Sequence, residues 1–215
     1  MRFANRTDAG QRLAGRLRRY ANHPGLLVLA LPRGGVPVAA EIARELKAPL
    51  DLFLVRKLGV PGHEELALGA IASGGIRILN DEVVESLEIP ASLIDAVAEK
   101  EKRELARRER LYRGNRGPLS VAGRTVILVD DGLATGATMK AAVKALKLQS
   151  PERLVVAVPV GAPETCRELE SSVNELVCLW KPRPLFAVGE WYQDFSQTTD
   201  EDVIELLDQA QTVVD

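Results

Sequence analysis

Val126-Ile127-Leu128-Val129-Asp130-Asp131-Gly132-Leu133-Ala134-Thr135-Gly136-Ala137-Thr138-Met139 runs four apolar residues into two adjacent carboxylates, then into a Gly- and Thr-rich loop. Val126 to Val129 shows no alternation, the pattern of a strand buried on both faces of a parallel sheet. Gly132 and Gly136 let the backbone turn sharply and approach a ligand closely. A helical pattern starts at Ala137, so the amides of Thr135, Gly136, Ala137 and Thr138 would point outward at a helix N-terminus, where an anion is favoured. The hydroxyls of Thr135 and Thr138 add donors. Asp130 and Asp131 stand just upstream and can accept hydrogen bonds from hydroxyls or from metal-bound water. A plain strand, turn and capped helix would explain the periodicity but not the ordered coincidence of acid pair, glycines and threonines. No Gly-Lys-Ser/Thr of a Walker loop and no Gly-x-Gly-x-x-Gly occurs here. A monophosphate held beside a diol-reading acid pair describes a site for ribose 5-phosphate.

On either side of this stretch, strands alternate with helices. Helical patterns cover Thr7 to Ala21, Val36 to Leu46, Pro90 to Arg113, Ala137 to Leu148, Pro163 to Ser171 and Thr199 to Gln211. Strand patterns cover Leu26 to Leu31, Leu50 to Val55, Arg124 to Asp130, Leu154 to Val160 and Glu175 to Trp180, with a hairpin of Glu65 to Ala72 and Ile76 to Leu79 around Ser73-Gly74-Gly75. This order predicts an α/β fold with a mainly parallel twisted sheet flanked by helices. Ligands in such sheets sit at the carboxyl ends of the strands, where Asp130 and the segment Leu31-Pro32-Arg33-Gly34-Gly35-Val36 both fall. Two glycines beside an arginine suit an anion-binding concavity of exposed amides. The 215 residues suit one domain, 1–215. Within it, 59–124 holds a candidate lid and helical insertion, and 180–215 a hood or C-terminal extension.

The acid pair and its loop resemble the PRPP-binding motif of the type I phosphoribosyltransferases, PRPP being 5-phosphoribosyl 1-pyrophosphate. The resemblance implies that Ala134, Thr135, Gly136, Ala137 and Thr138 bind the 5-phosphate, and that Asp130 and Asp131 orient the ribose diol and stabilise the ring cation during catalysis. It implies that the backbone amides of Arg33 and Gly34 bind pyrophosphate, in a loop that often carries a cis peptide, and that Lys57, after the second strand, also meets pyrophosphate. Mg2+ is the implied cofactor, held mainly by substrate oxygens and reached by Asp130 and Asp131 through water. A homodimer is a further expectation from the family. The implied reaction is transfer of ribose 5-phosphate to a nitrogenous acceptor, a nucleobase foremost, with release of pyrophosphate. The alternatives are a non-catalytic PRPP- or nucleotide-sensing regulator, and a different PRPP-fold enzyme. Ala134 stands where the 6-oxopurine branch has an aspartate, which disfavours hypoxanthine or guanine as acceptor.

Other features are less specific. His63, in Gly-Pro-Gly-His, is a candidate general acid that reads equally well as an exposed loop histidine. The charged run Asp95 to Arg116 reads as a solvated helix with a basic end, and Arg113 or Arg116 as part of a pyrophosphate clamp. Trp180 to Phe195 concentrates the aromatic residues; packing explains most of them, while Phe186, Trp191 or Tyr192 are candidates for an acceptor pocket. The net charge of −2 and the interleaved acids argue against a nucleic-acid partner. Cys166 and Cys178 lack metal-ligand spacing and read as free thiols in a reducing compartment. No signal peptide or membrane-spanning run appears, so the expected location is the cytoplasm.

Overall fold

A computed structural model describes residues 2–114, 116–118 and 120–211. Helix α1 (Arg6–Leu17) is followed by a 3-10 turn (Arg18–Tyr20), β1 (Leu26–Ala30), α2 (Gly35–Leu46) and β2 (Leu50–Leu52). Strands β3 (Val55–Val60), β4 (His63–Ala72) and β5 (Ile76–Leu79), then α3 (Asp81–Ser86) and α4 (Ala91–Arg113), fill most of the interval 59–124. The chain continues through β6 (Thr125–Val129), α5 (Ala137–Lys147), β7 (Arg153–Val160), α6 (Pro163–Glu170), β8 (Glu175–Trp180), a 3-10 turn (Val188–Trp191) and α7 (Asp200–Gln211). Residues 115 and 119 of the expected lid interval and 212–215 of the expected extension lie outside the described residues.

The main sheet is parallel, in the order β2-β1-β6-β7-β8. The alternation missing from the sequence of β6 has its cause here, because both faces are covered. Val28, Ala30, Ile127, Val129, Val155 and Ala157 face the core under α1, α2 and α7, while Leu27, Leu29, Val126, Leu128, Leu154 and Val156 face α5 and α6. The chain runs outward from β1 to β2 on one side and from β6 to β8 on the other. The strand order therefore reverses between β1 and β6, which opens a crevice at their carboxyl ends.

The α1–α2 crossing is close, for a Cβ on Gly10 would lie 2.7 Å from the Val38 carbonyl oxygen. Asn5, rather than Thr7, caps α1, its Oδ1 accepting from the Asp8 amide at 2.9 Å. Helix α7 starts with a capping box in which Thr199 and Asp202 exchange side-chain and amide bonds. Cys166 and Cys178 are free thiols. Among the described residues no helix is long and apolar enough to cross a membrane.

One expected strand is two. The apolar run Leu50 to Val55 divides at Phe53-Leu54, where the chain leaves the parallel sheet for an antiparallel one ordered β3-β4-β5. The Phe53 amide bonds to the Ala30 carbonyl at 2.9 Å, and the Leu54 amide turns to Ser73 Oγ at 3.0 Å. Arg56 and Lys57 thus belong to strand β3 and not to a loop. The small sheet packs between α4 and α5.

Arg113, one of two candidates for a pyrophosphate clamp beside the solvated-helix reading, is the anchor of α4. It is 5% exposed; its Nε lies 2.8 Å from Asp51 Oδ1 and its Nη2 donates to the Leu52 carbonyl at 2.6 Å. Glu109 Oε1 stands 3.2 Å from Nη1. Arg116 bonds the Arg113 carbonyl and Asp208.

Candidate functional site

The crevice between β1 and β6 brings two of the sequence motifs into contact. A Cβ on Gly34 would stand 2.0 Å from Asp131 Oδ2, and one on Gly35 would stand 2.8 Å from the Val129 carbonyl and 3.0 Å from Asp130 Cα. Both glycines are required by this approach, since Gly34 has an ordinary right-handed backbone (φ −60°). The Pro32–Arg33 peptide is cis, as the resemblance implies. The amides of Gly35 and Val36 turn back to the carbonyls of Leu31 and Arg33. Among the described residues no hydrogen bond occupies the amides of Arg33 and Gly34. The Arg33 guanidinium rests 3.8 Å from Asp200, the first residue of α7, whose carboxylate also accepts from Tyr112 Oη at 2.6 Å. Burial and this bond push the Tyr112 hydroxyl up to about 12.

The loop after the acid pair is shaped by its neighbours. Gly132 packs on Val188, whose Cγ1 would be 2.3 Å from an added Cβ. Leu133 is stitched to β7 and the chain after it, its amide donating to Val160 and its carbonyl accepting from Ala162. Thr165 Oγ1 donates to the Ala134 carbonyl at 2.7 Å. Gly136 adopts φ +72°, which favours glycine, and precedes α5 with no side-chain cap. The amides of Thr135 and Gly136 carry no hydrogen bond among the described residues, and helix geometry leaves those of Ala137 and Thr138 without intrahelical partners. Thr135, Ala137 and Thr138 are exposed. Four donors therefore converge on an uncapped helix end, which suits an anion.

Asp130 and Asp131 extend β6 into the crevice. The Asp131 amide donates to Asp130 Oδ1 at 2.8 Å. Burial, reinforced by the neighbouring Asp131 charge, pushes the Asp130 carboxyl well above the usual carboxylate range. Asp131 is also pushed up by burial, against the pull of Arg6, whose Nε and Nη2 lie 2.9 and 2.8 Å from Oδ2. A carboxyl whose folded pKa is raised penalises folding once pH exceeds its unfolded value, and the penalty vanishes below that value. Asp130→Asn is expected to raise the melting temperature at neutral pH, by an amount that shrinks as pH falls toward the ordinary carboxylate range. A melting series across pH checks this; a variant less stable than wild type at every pH would contradict it.

The remaining sequence candidates are distributed around this centre. Lys57 lines a 580 Å³ cleft between the small sheet and α5, with Ala137, Thr138 and Lys144 on the helix side and Val55, Gly69 and Ile78 on the sheet side. It shares that cleft with Ala137 and Thr138 and lies within β3 rather than at the end of β2. His63 is exposed beside the Pro61-Gly62 turn. Tyr192 is buried; its ring lies 5.4 Å from that of Phe3 and 5.0 Å from that of Phe195, and its Oη donates to the Asp131 carbonyl at 2.6 Å. Phe186 is 80% exposed and Trp180 40%. Arg6, Thr165 and the Tyr192 bond escape the sequence reading, for no local pattern links residue 6 to residue 131.

Among the described residues no group of three or more His, Cys, Asp or Glu is arranged to hold a metal. Two carboxylates, one of them paired with Arg6, fit Mg2+ only as an ion carried largely by its substrate.

Comparison with known proteins shows the family. The family described as Phosphoribosyl transferase domain matches residues 3–193. A Mycobacterium tuberculosis protein named "Putative phosphoribosyl transferase Rv0571c" is 46% identical over 208 residues, which cover 97% of this chain and 47% of that protein. The chain thus spans about half the length of the curated relatives it matches first. The Bifunctional protein PyrR of Deinococcus radiodurans is 27% identical over 164 residues, covering 69% of this chain and 88% of that one. Among solved structures, TT1426 from Thermus thermophilus superposes with a TM-score of 0.85 at 43% identity, covering 96% of this chain and 98% of that one. With the domain family matched across nearly its whole length, this chain belongs to the phosphoribosyl transferase family.

Proposed function

We propose that the chain transfers ribose 5-phosphate from PRPP to a nitrogenous acceptor, a nucleobase foremost, with release of pyrophosphate. The observation that carries this reading is the contact of the Arg33–Gly34 loop with Asp131 across the switch point, beside an uncapped α5 terminus. Two anion sites flanking a carboxylate pair fit one ligand with a phosphate at one end, a pyrophosphate at the other and a diol between.

In this reading the amides of Thr135 to Thr138 hold the 5-phosphate. Asp130 and Asp131 accept hydrogen bonds from the ribose hydroxyls. The amides of Arg33 and Gly34, with Lys57, take the pyrophosphate. The bond from C1 to the pyrophosphate oxygen breaks with its electron pair leaving on oxygen. The acceptor nitrogen donates its lone pair to C1 and loses a proton. Positive charge builds on the ring in between, and the acid pair beside it would lower that barrier in its ionised form. Mg2+, carried on substrate oxygens, would neutralise the leaving group. The interval 59–124 supplies a lid that excludes water. Phe186, the most exposed of the aromatic candidates, would be the one to stack on a planar acceptor.

Thr135→Ala is expected to weaken PRPP binding about tenfold, roughly 1.4 kcal/mol, by removing a hydroxyl donor to an ionised ligand. Because Thr135 is exposed, the melting temperature should stay close to wild type. Calorimetric titration with PRPP reads the first and thermal unfolding the second; equal PRPP affinity would remove residue 135 from the site. The transferase reading itself is tested by pyrophosphate release across a panel of bases with PRPP and Mg2+. Release with one base names the acceptor; PRPP binding without release from any base favours a sensor.

A further inference from the structure

Arg6 lies outside every motif in the sequence, yet it is the cation that meets the acid pair. Both Nε and Nη2 point at Asp131 Oδ2, at 2.9 and 2.8 Å, in a pair whose side chains are 12% and 16% exposed. The third nitrogen, Nη1, donates to the Ser196 carbonyl at 2.7 Å. The flat face of the guanidinium lies 3.9 Å over the Phe195 ring. One side chain is thus fixed by a carboxylate, a carbonyl and an aromatic face, a combination that suits arginine and that lysine cannot reproduce.

The backbone carrying Arg6 is fixed as well. The Phe3 amide bonds the Trp191 carbonyl at 2.8 Å, and the amides of Gln193 and Asp194 bond the carbonyls of Phe3 and Ala4 at 2.8 and 2.9 Å. Phe3 is buried against Tyr192, whose hydroxyl holds the Asp131 carbonyl. Asp131 is therefore gripped at its backbone by Tyr192 and at its carboxylate by Arg6. Both guanidinium contacts go to Oδ2, the oxygen that stands over Gly34, so Oδ1 lies outside the pair.

From this geometry we propose that Arg6 is the positioning residue of the acid pair, fixing the Asp131 carboxylate through Oδ2 and presenting its Oδ1 to a ribose hydroxyl. The proposal rests on the PRPP reading of the site. A merely structural Arg6, joining the N-terminal segment to residues 191–196, would affect stability and leave no mark on how binding depends on pH.

The groups bearing on Asp131 define that mark. Asp130 lies beside it on the same strand end, Arg6 reaches it from α1, and Tyr192 reaches it from the segment after β8, where Asp194 also lies within the field of Arg6. Burial drives the Asp131 carboxyl toward the neutral form, and Arg6 opposes this. Without the guanidinium the upward push is opposed only by a backbone hydrogen bond, so PRPP binding should fail at a higher pH.

The experiment is calorimetric titration of PRPP with Mg2+ into the full chain from about pH 5 to pH 9, a window chosen to span carboxyl groups raised above their ordinary range. It compares wild type, Arg6→Lys and Arg6→Met, each checked for folding by circular dichroism and melting. Arg6→Met should bind about tenfold or more weakly at neutral pH, with the acid limb of its affinity moved to higher pH. Arg6→Lys should keep the wild-type acid limb while binding about threefold or more weakly, as the charge is kept and the two-point grip is lost. A folded Arg6→Met with wild-type affinity, or with a loss uniform across pH, would overturn the proposal. Should Arg6→Met not fold, Arg6→Lys decides alone, and wild-type affinity in that variant overturns it. Absence of PRPP binding by wild type at every pH would instead sink the reading of the site on which the proposal rests.

Discussion

Gly34→Ala is expected to cost PRPP affinity about a hundredfold or more, roughly 2.7 kcal/mol, while leaving a folded protein. The backbone at Gly34 is right-handed helical and admits any residue, so the objection is one of space alone. The added methyl would sit 2.0 Å from Asp131 Oδ2, 2.7 Å from its Cγ and 3.4 Å from Arg6 Nη2. Either the carboxylate swings away, breaking its pair with Arg6, or the loop lifts and its free amides leave the ligand. Both outcomes damage two of the three recognition elements together. The overpacking itself costs about 1–3 kcal/mol of stability, which a melting curve would register. Titration with PRPP checks the larger effect; affinity within about twofold of wild type would show that the loop and the acid pair do not act on one ligand.

Arg113→Met is expected to destabilise the chain by about 3–5 kcal/mol, because it takes the guanidinium away from a buried carboxylate. Asp51 is 6% exposed, and its Oδ1 already accepts the Leu52 amide at 2.7 Å as well as the Arg113 bond. For a chain of this size the loss corresponds to a melting temperature lower by roughly 10 °C. The double variant Asp51→Leu with Arg113→Met should recover much of the loss, since an apolar pair of similar volume replaces the ions without leaving either unpaired. Urea unfolding of the wild type, the single and the double variant measures both numbers. The outcome also separates the two readings of Arg113. As the anchor of α4 it governs stability and leaves PRPP affinity near wild type at temperatures where the protein is folded. Weakened PRPP binding at wild-type stability would restore the clamp.

The architecture was legible where the physical cause was local. Val126 to Val129 announced a strand covered on both faces, and the two faces are covered by α1, α2 and α7 and by α5 and α6. Gly132 and Gly136 announced a sharp turn, and Gly136 adopts φ +72° while Gly132 packs on Val188. What the sequence hid depends on partners far along the chain. Leu50 to Val55 is apolar throughout apart from Asp51, so nothing local marks the passage from one sheet to another at Phe53-Leu54. Strand β3 carries Arg56, Lys57 and Gly59 and has no alternating pattern; its order comes from pairing with β4 and from α4 behind it. Arg113 and Arg110 look alike in a charged run, yet it is Arg113 that finds a carboxylate on β2. Arg6 and Asp131 are 125 positions apart, and their meeting depends on the pairing of Phe3 with Tyr192. The acid pair and its loop were therefore visible, and the residues that hold them in place were not.

A single ligand that bridges the α5 terminus, the acid pair and the Arg33–Gly34 loop must bind through all three at once. The decisive experiment is calorimetric titration of the wild-type chain with PRPP in the presence of Mg2+, followed by ribose 5-phosphate and pyrophosphate as separate ligands. Saturable one-to-one binding of PRPP, tighter than either fragment alone, is the expected result. No PRPP binding, or PRPP binding no tighter than ribose 5-phosphate, would contradict it.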